Sequence, residues 1–407
     1  MASSDAGNRT NTSPNGGRRS AVLARYVLAA TLVRSADGGA IVAIVLLAQT
    51  SGQPGWVAGL LGASITAPHL FGPFIARRLD TAPDGRKIIA LAAVIHGVLL
   101  AIAALLLPVT WPVVPALLLI VSGLFGPMLT GGVSSRLPSI AGPAQLSQRR
   151  AQGWDVASYG FSGTLGPAVV AWAAATVSPL AATLLLAGAA VVGAAAVLTL
   201  PRQPGQLAAA SVPSPMHTLA GILRSGPLRR TLGLTVVVAF SVAVLPIYAV
   251  VVGPVLGGAA LAGTLIAGYG VGNLAGSVLL MIWPLRGDAD KLTAVLAFTV
   301  ALALATVIAM PNLATLLAAF AATGIVNALF FAATLAARSE YAPAQSRGQV
   351  FIWVGALKIA AGSAGTATAG LLIAGTAWLP VVLVAAITAA SALWCAVSLA
   401  GQRGGTP

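Results

Sequence analysis

Acidic residues are scarce. The 407-residue chain has 8 Asp and Glu, and charged residues of both signs make up 7% of it, against roughly a quarter in a soluble globular protein. That level excludes a soluble enzyme. Cysteine is nearly missing as well: the single Cys395 excludes an intrachain disulfide and a cysteine-based metal cluster. The three histidines are scattered at positions 69, 96 and 217, so no metal site is expected. No Gly-x-x-x-x-Gly-Lys-Ser/Thr loop is present, which removes a nucleotide-driven pump. What is there instead is apolar: 58% of residues are hydrophobic and the mean hydropathy is +0.94. Apolar segments fill the whole length, leaving no room for a soluble catalytic or signalling domain. The pattern is that of a polytopic membrane protein.

A helix crossing a hydrocarbon core of roughly 30 Å needs about 20 mostly apolar residues. Cutting the chain where charges, prolines or polar clusters interrupt such runs predicts twelve spans: 25–49, 55–77, 88–108, 112–135, 152–176, 179–200, 231–252, 258–284, 291–310, 313–337, 349–374 and 377–400. Positive charge tests this division independently, because cytoplasmic loops retain Lys and Arg. Of the 22 basic residues, all but Arg34 and Lys358 fall before, between or after spans on one side, and the six loops of the other side contain none. Both termini are therefore expected in the cytoplasm. The net charge of +14 follows from orientation and contact with anionic headgroups, so nucleic acid is not an expected partner. Trp56, Trp111 and Trp378 fall at outer turns and Trp154, Trp283 and Trp353 near inner ends, as interfacial anchors do.

Residues 1–20 are polar and rich in Ser, Asn and Gly, the composition of a disordered cytoplasmic tail. Arg18-Arg19-Ser20 before an apolar stretch is not read as a twin-arginine signal, because eleven further spans follow. The longest internal loop, 201–230, separates two six-helix bundles, 21–200 and 231–400, with a short tail at 401–407. Duplication is visible in three matches: Pro143-Ala144-Gln145 with Pro343-Ala344-Gln345, Arg150-Ala151-Gln152 with Arg347-Gly348-Gln349, and Gly163-x-x-Gly166 with Gly362-x-x-Gly365. All lie at the same relative place in each half, and parallel repeats of this kind are a known construction of transporters.

These features, over roughly residues 20–400, resemble a major facilitator superfamily transporter. The loop after the second span, Gly72-Pro-Phe-Ile-Ala-Arg-Arg-Leu-Asp80-Thr-Ala-Pro-Asp84-Gly85-Arg86-Lys87, is similar to that superfamily's inner-loop signature, with Ala76 in the place of its first glycine. Gly160-Phe-Ser-Gly163-Thr-Leu-Gly166-Pro167 in the fifth span resembles the glycine-rich motif of proton-coupled exporters. Physically, Asp80 at a helix end can meet a cation across the inner surface or cap another helix's N-terminus, latching one conformation. Gly163 and Gly166 allow close approach of a neighbour and Pro167 favours a kink; a hinge and ordinary packing are both open. Gly268, Gly272 and Gly276 share one face of the eighth span and read as a packing seam.

A charge near the bilayer centre is costly and marks a functional candidate. At about 1.5 Å rise per residue, Arg34, Asp37 and Lys358 lie well inside the membrane. Arg34 and Asp37 are neighbours on one helix face: one reading is an intrahelical ion pair that lowers insertion cost. The other comes from the resemblance, which implies that the first, fourth, seventh and tenth helices line the cavity and that a first-helix acid exchanges protons or contacts substrate. Ionised Asp37 would then pair with Arg34 or Lys358. Asp155 is expected to make a surface or gate salt bridge near the inner interface, His96 to pack or snorkel, and Asp288 and Asp290 to form a solvated cluster with Arg286 and Lys291. His69 sits at mid-span without a visible partner, and Asn327 is the cavity-facing polar residue of the tenth span.

The resemblance implies secondary active transport by alternating access, with export of a small amphipathic molecule by proton antiport and uptake by symport as the alternative. A membrane-embedded transferase lacks the paired acids it would need, so no enzyme activity and no cofactor are expected. The expected partners are a small-molecule substrate, protons and the lipid bilayer, and the expected state is a monomer. Arg in excess of Lys, with abundant Ala and Gly, points to a high-GC bacterial genome and a bacterial cell membrane.

Overall fold

The computed structural model describes residues 14–202, 212–258, 260–372 and 376–404. All regular structure among them is helical, as lipid requires: an apolar segment must satisfy its own backbone N–H and C=O groups. The N-terminal half contains α1 (Pro14–Thr50), α2 (Gly55–Thr81), α3 (Gly85–Leu106), α4 (Val113–Ala141), α5 (145–176) and α6 (Pro179–Leu198). A short linker helix, α7 (Pro215–Arg224), precedes the C-terminal half: α8 (Gly226–Leu256), α9 (Ala260–Ile282), α10 (Ala289–Ile308), α11 (Leu313–Tyr341), α12 (Ala344–Leu372) and α13 (Leu379–Gly404). Eleven of these are long and apolar enough to cross a membrane. The twelfth, α5, is the polar one: Arg149, Arg150 and Asp155 lie in its first part, and its backbone widens into a π-type turn over Phe161–Leu165 just before Gly166 and Pro167. Pro167 cannot donate to the preceding turn, which accounts for the break.

The boundaries differ from the sequence reading at three places. Helix α1 begins at Pro14, inside the stretch expected to be a tail; residues 1–13 lie outside the described residues. The linker contains α7, which Ser214 caps by accepting from the His217 amide, and α8 starts at Gly226; 203–211 are outside the described residues. Helix α13 runs on to Gly404, into the stretch expected as a tail.

Each half buries its own apolar core. The C-terminal one is built around Val238, Val300, Phe320 and Val384. Tyr26, Ile89 and Leu129 occupy the inner core of the N-terminal half, with Ile44, Leu61 and Leu100 further out. The expected seam exists: a Cβ on Gly276 would meet the Ile325 carbonyl at 2.7 Å, and Gly324 faces the backbone of Tyr269 and Asn273, so α9 and α11 lie nearly in backbone contact. Gly163 behaves otherwise. Nothing lies within 4 Å of a Cβ placed there, and Gly166 has only ordinary contacts, so these two glycines do not themselves make a close approach to a neighbour. Other residues make the close approaches of α5 to α9: Gly153 meets Leu280, Gly160 meets Leu274, and Gly270 of α9 meets Thr164.

The halves touch along their inner and middle parts, where α5 packs on α9 and α11 and the inner part of α2 packs on α12. The outer segments Gly55–Thr66, Gly166–Thr176 and Leu245–Leu256 pack extensively only within their own halves. The arrangement is closed at the inner end and parted toward the outside.

Candidate functional site

Two helices break at the depth of Asp37. Helix α2 tightens to a 3₁₀ turn over Ala67–Phe71, with Pro68 at its start and Pro73 beyond it, and α4 is interrupted near Gly126 and Pro127 before a wide turn over Met128–Gly132. These breaks let His69 and Gly126 crowd against α1. His69 Nε2 lies 3.3 Å from Asp37 Oδ1 and 3.4 Å from Oδ2. Only Oδ2 is aligned to accept, and Oδ1 is buried without a donor. His69 Nδ1 is 2.9 Å from the Ile65 carbonyl; a carbonyl accepts, so this nitrogen carries a hydrogen. Gly126 completes the contact, since a Cβ there would meet Asp37 Oδ1 at 2.7 Å and collide with the imidazole.

Arg34 turns away from Asp37 toward α5 and α4. Its Nη1 is 2.8 Å from Asp155 Oδ1 and also donates to Ser158 Oγ; Nη2 donates to Ser134 Oγ at 2.8 Å and to the Thr130 carbonyl. Tyr26 donates its hydroxyl to Asp155 Oδ1 at 2.7 Å and Ser134 donates to Oδ2 at 2.8 Å. Above them the guanidinium carbon lies 3.7 Å from the Tyr159 ring centroid. Two expectations are thereby corrected. Arg34 and Asp37 do not pair on their own helix, because each has a better-placed partner across a helix interface: pairing them would strand Asp155 and His69. Asp155 is not a surface bridge but fully buried, at 0% exposure.

Lys358 is also placed differently from the pairing expected with Asp37. Its ammonium lies 3.8 Å from the Phe331 ring centroid and 5.9 Å from that of Tyr159. Tyr159 and Phe331 stack edge to face at 4.9 Å, so an aromatic pair joins the halves and separates the Arg34 network from Lys358. Lys358 and Asn327 line a cavity of about 370 Å³ together with Val242, Ile266, Tyr269 and Phe320.

At the inner end, Asp80 takes the capping alternative. Its carboxylate accepts from the Gly348 and Gln349 amides, each at 2.9 Å, at the start of α12. A Cβ on Gly348 would sit 2.6 Å from Oδ1. Gln349 also donates to the Pro213 carbonyl, tying the linker to the same point. A second cross-link, invisible in the sequence pattern, joins Arg149 of α5 to Glu340 of α11 at 2.8 Å. Other residues of the loop motif knit the N-terminal half. Gly72 packs on Pro127 and Gly85 on Arg136 and Leu79, while Arg86 binds Asp84 at 2.7 Å and the Leu198 carbonyl at 3.0 Å. Lys87 is exposed. Hydrogen bonds from the Arg86 side chain, with lesser contributions from its amide and from Arg202, hold the Asp84 carboxyl well below the usual carboxylate range.

Two more expectations change, those for Asp290 and Trp353. Asp290 is buried and paired with Arg230 of α8, with Nε to Oδ2 at 3.0 Å, rather than solvated. Trp353 is 5% exposed, donates to the Pro215 carbonyl at 3.0 Å and stacks on Phe74, so it locks linker to bundle instead of anchoring in headgroups. His96 is packed, 2.9 Å from Ser122 Oγ.

No protein-family model matches the sequence, and no curated protein matches it. Solved structures do. The human organic anion transporter MFSD10 superposes with a TM-score of 0.74 at 16% identity, covering 94% of this chain and 100% of that one. A bacterial homologue of the iron transporter ferroportin, in an outward-facing state, gives 0.72 at 15% identity over 92% of this chain and 98% of its own. The E. coli fucose:proton symporter gives 0.68 at 16% identity over 91% and 98%. The chain has the major facilitator fold.

Proposed function

We infer that this chain is a multi-pass secondary transporter of a bacterial cell membrane, working as a monomer, that exports a small amphipathic organic molecule in exchange for protons. One observation carries the reading: the halves are joined at their inner ends, and a buried Asp37–His69 pair lies at mid-depth on broken helices, where transporters of this construction place their sites.

The geometry suggests how the pair would couple. With Nδ1–H committed to the Ile65 carbonyl, one further proton is shared between Nε2 and the Asp37 carboxyl, and the pair is neutral overall whichever atom holds it. Losing that proton leaves a net negative charge among apolar helices, which is costly. Proton release is thereby tied to a conformation that rehydrates the pair, and substrate binding that favours one conformation is coupled to it. The reverse swing requires release of the Asp80 cap and the Arg149–Glu340 bridge. Export rests on the Gly160–Pro167 resemblance.

The test is substrate-dependent proton flux in proteoliposomes loaded with a pH-sensitive dye, over a panel of amphipathic amines, amides and carboxylates. Wild type should show flux with proton and compound moving in opposite directions, and Asp37→Asn, checked for folding by thermal unfolding, should show none. Parallel movement would replace export by uptake. Undiminished flux in Asp37→Asn would remove the pair from coupling.

A further inference from the structure

We propose that the cavity beside Lys358 selects organic monoanions, holding a carboxylate head group at Lys358 and Asn327 with the apolar body against Val242, Ile266 and Phe320. This rests on the reading of the chain as a transporter of a small organic molecule, and places that molecule in this cavity.

The charge inventory carries it. Three cations cluster around the aromatic pair Tyr159 and Phe331: Arg34 at 3.7 Å from the Tyr159 centroid, Lys358 at 3.8 Å and Arg338 at 5.7 Å from the Phe331 centroid. Two acids are buried at this depth. Asp155 is consumed by Arg34, and Asp37 is paired with His69. Arg338 spends its donors on its own helix, with Nε to the Thr334 carbonyl at 3.0 Å and Nη2 to the Thr334 hydroxyl at 2.9 Å. Among the described residues no carboxylate lies within 4.0 Å of Arg338 or Lys358. With Asp155 as its acid, the cluster therefore holds two more basic side chains than acids.

Lys358 differs from Arg338 in being available. It lines the cavity, and among the described residues its ammonium makes aromatic contacts but no hydrogen bond or ion pair. Ring faces stabilise a cation without using its three N–H donors. Asn327, in the same wall, likewise has no hydrogen-bond partner among the described residues. An uncompensated ammonium in a membrane interior is expensive unless something negative joins it. One carboxylate would use the donors of both side chains, whereas a cationic head group would be repelled. Apart from Tyr269 the rest of the wall is apolar, and about 370 Å³ lies within the range of small-molecule sites.

The experiment measures binding to the purified full-length protein in detergent by calorimetry, with three probes of one shape: phenylbutyrate, phenylbutyramide and phenylbutylamine. Phenylbutyrate should bind about tenfold or more tighter than the amide, the usual gain of a charge-assisted hydrogen bond, and the amine should not bind. Lys358→Gln should erase the preference and Lys358→Arg should keep it, with thermal unfolding reporting the fold. If Lys358→Gln does not fold, Asn327→Asp, which places a carboxylate in the same wall, must also erase it. Equal affinity for acid and amide, preference for the amine, no binding of phenylbutyrate at millimolar concentration, or a preference that survives Lys358→Gln would each overturn the proposal. Absence of proton flux with every compound, while the carboxylate preference persists, would fail the transporter reading and leave the anion site standing.

Discussion

His69 meets Asp37 through Nε2 because its Nδ1 is held 2.9 Å from the Ile65 carbonyl one helical turn earlier. The proline-broken backbone of α2 thus fixes both the ring orientation and the atom that shares a proton with the acid. Gly126 is the third member. In Gly126→Ala the new methyl would occupy space 2.7 Å from Asp37 Oδ1, forcing the pair apart. Proton-coupled flux should fall at least as far as in His69→Gln, while stability drops by about 1–3 kcal/mol, the usual cost of overpacking. Flux in Gly126→Ala equal to wild type would show that the close contact is dispensable.

The span count and the two halves were legible because bilayer thickness and loop charge impose them, residue by residue. Asp37 and Lys358 stood out for the same reason: a charge in an apolar run is visible without a structure. Their partners were not. Arg34 and Asp155 are 121 positions apart, and nothing local distinguishes a buried acid five residues beyond Arg150 from an interfacial one. His69 is visible at mid-span but its partner is not, since the turn that aims it at Asp37 is a tertiary feature. Tyr26, Ser134 and Glu340 carried no signal, being ordinary helix residues until their neighbours are known. Gly348 did show itself through the Arg347-Gly348-Gln349 repeat, but its use, making room for Asp80, became clear only with the contact.

Breaking a buried pair by removing one partner leaves an unpaired charge and costs about 3–5 kcal/mol. Asp155→Asn strands Arg34 and should lower stability by about that amount, visible as a drop in thermal unfolding temperature in detergent. The double replacement Arg34→Met with Asp155→Leu should recover much of the loss, because the desolvation of both charges disappears together. A double variant as unstable as Asp155→Asn would place the stabilisation in the hydroxyls of Tyr26 and Ser134 instead.

Asp84 gives a pH control. Its carboxyl is held below the usual range by Arg86, so its folded value lies under the unfolded one of about 3.9. The stability it contributes is therefore complete above that unfolded value and is lost as pH falls through the lower folded value. The difference in unfolding temperature between wild type and Asp84→Asn should stay constant from about pH 5 to pH 8 and shrink below about pH 4. A difference that changes near neutrality would mean another group titrates with it. A pH dependence of flux that persists in Asp84→Asn over the same window would exclude Asp84 as its source.

The Asp80 carboxylate reaches 268 positions along the chain to the Gly348 amide, and it does so only while the inner ends of α2 and α12 are together. Asp80→Ala removes a helix cap worth about 1 kcal/mol, which shifts a two-state equilibrium roughly fivefold toward the inner-open form. Asp80→Asn should act in the same direction and more weakly, since a neutral acceptor still reaches the amides. Gly348→Ala should reproduce the effect from the other side of the contact, because its methyl would displace the carboxylate. Spin labels on the exposed inner ends of α3 and α7, read by pulsed electron resonance, report the opening: a longer-distance population should grow in all three variants. If Gly348→Ala leaves the distribution unchanged while Asp80→Ala alters it, Asp80 acts through Arg136 or Arg347 rather than through the cap.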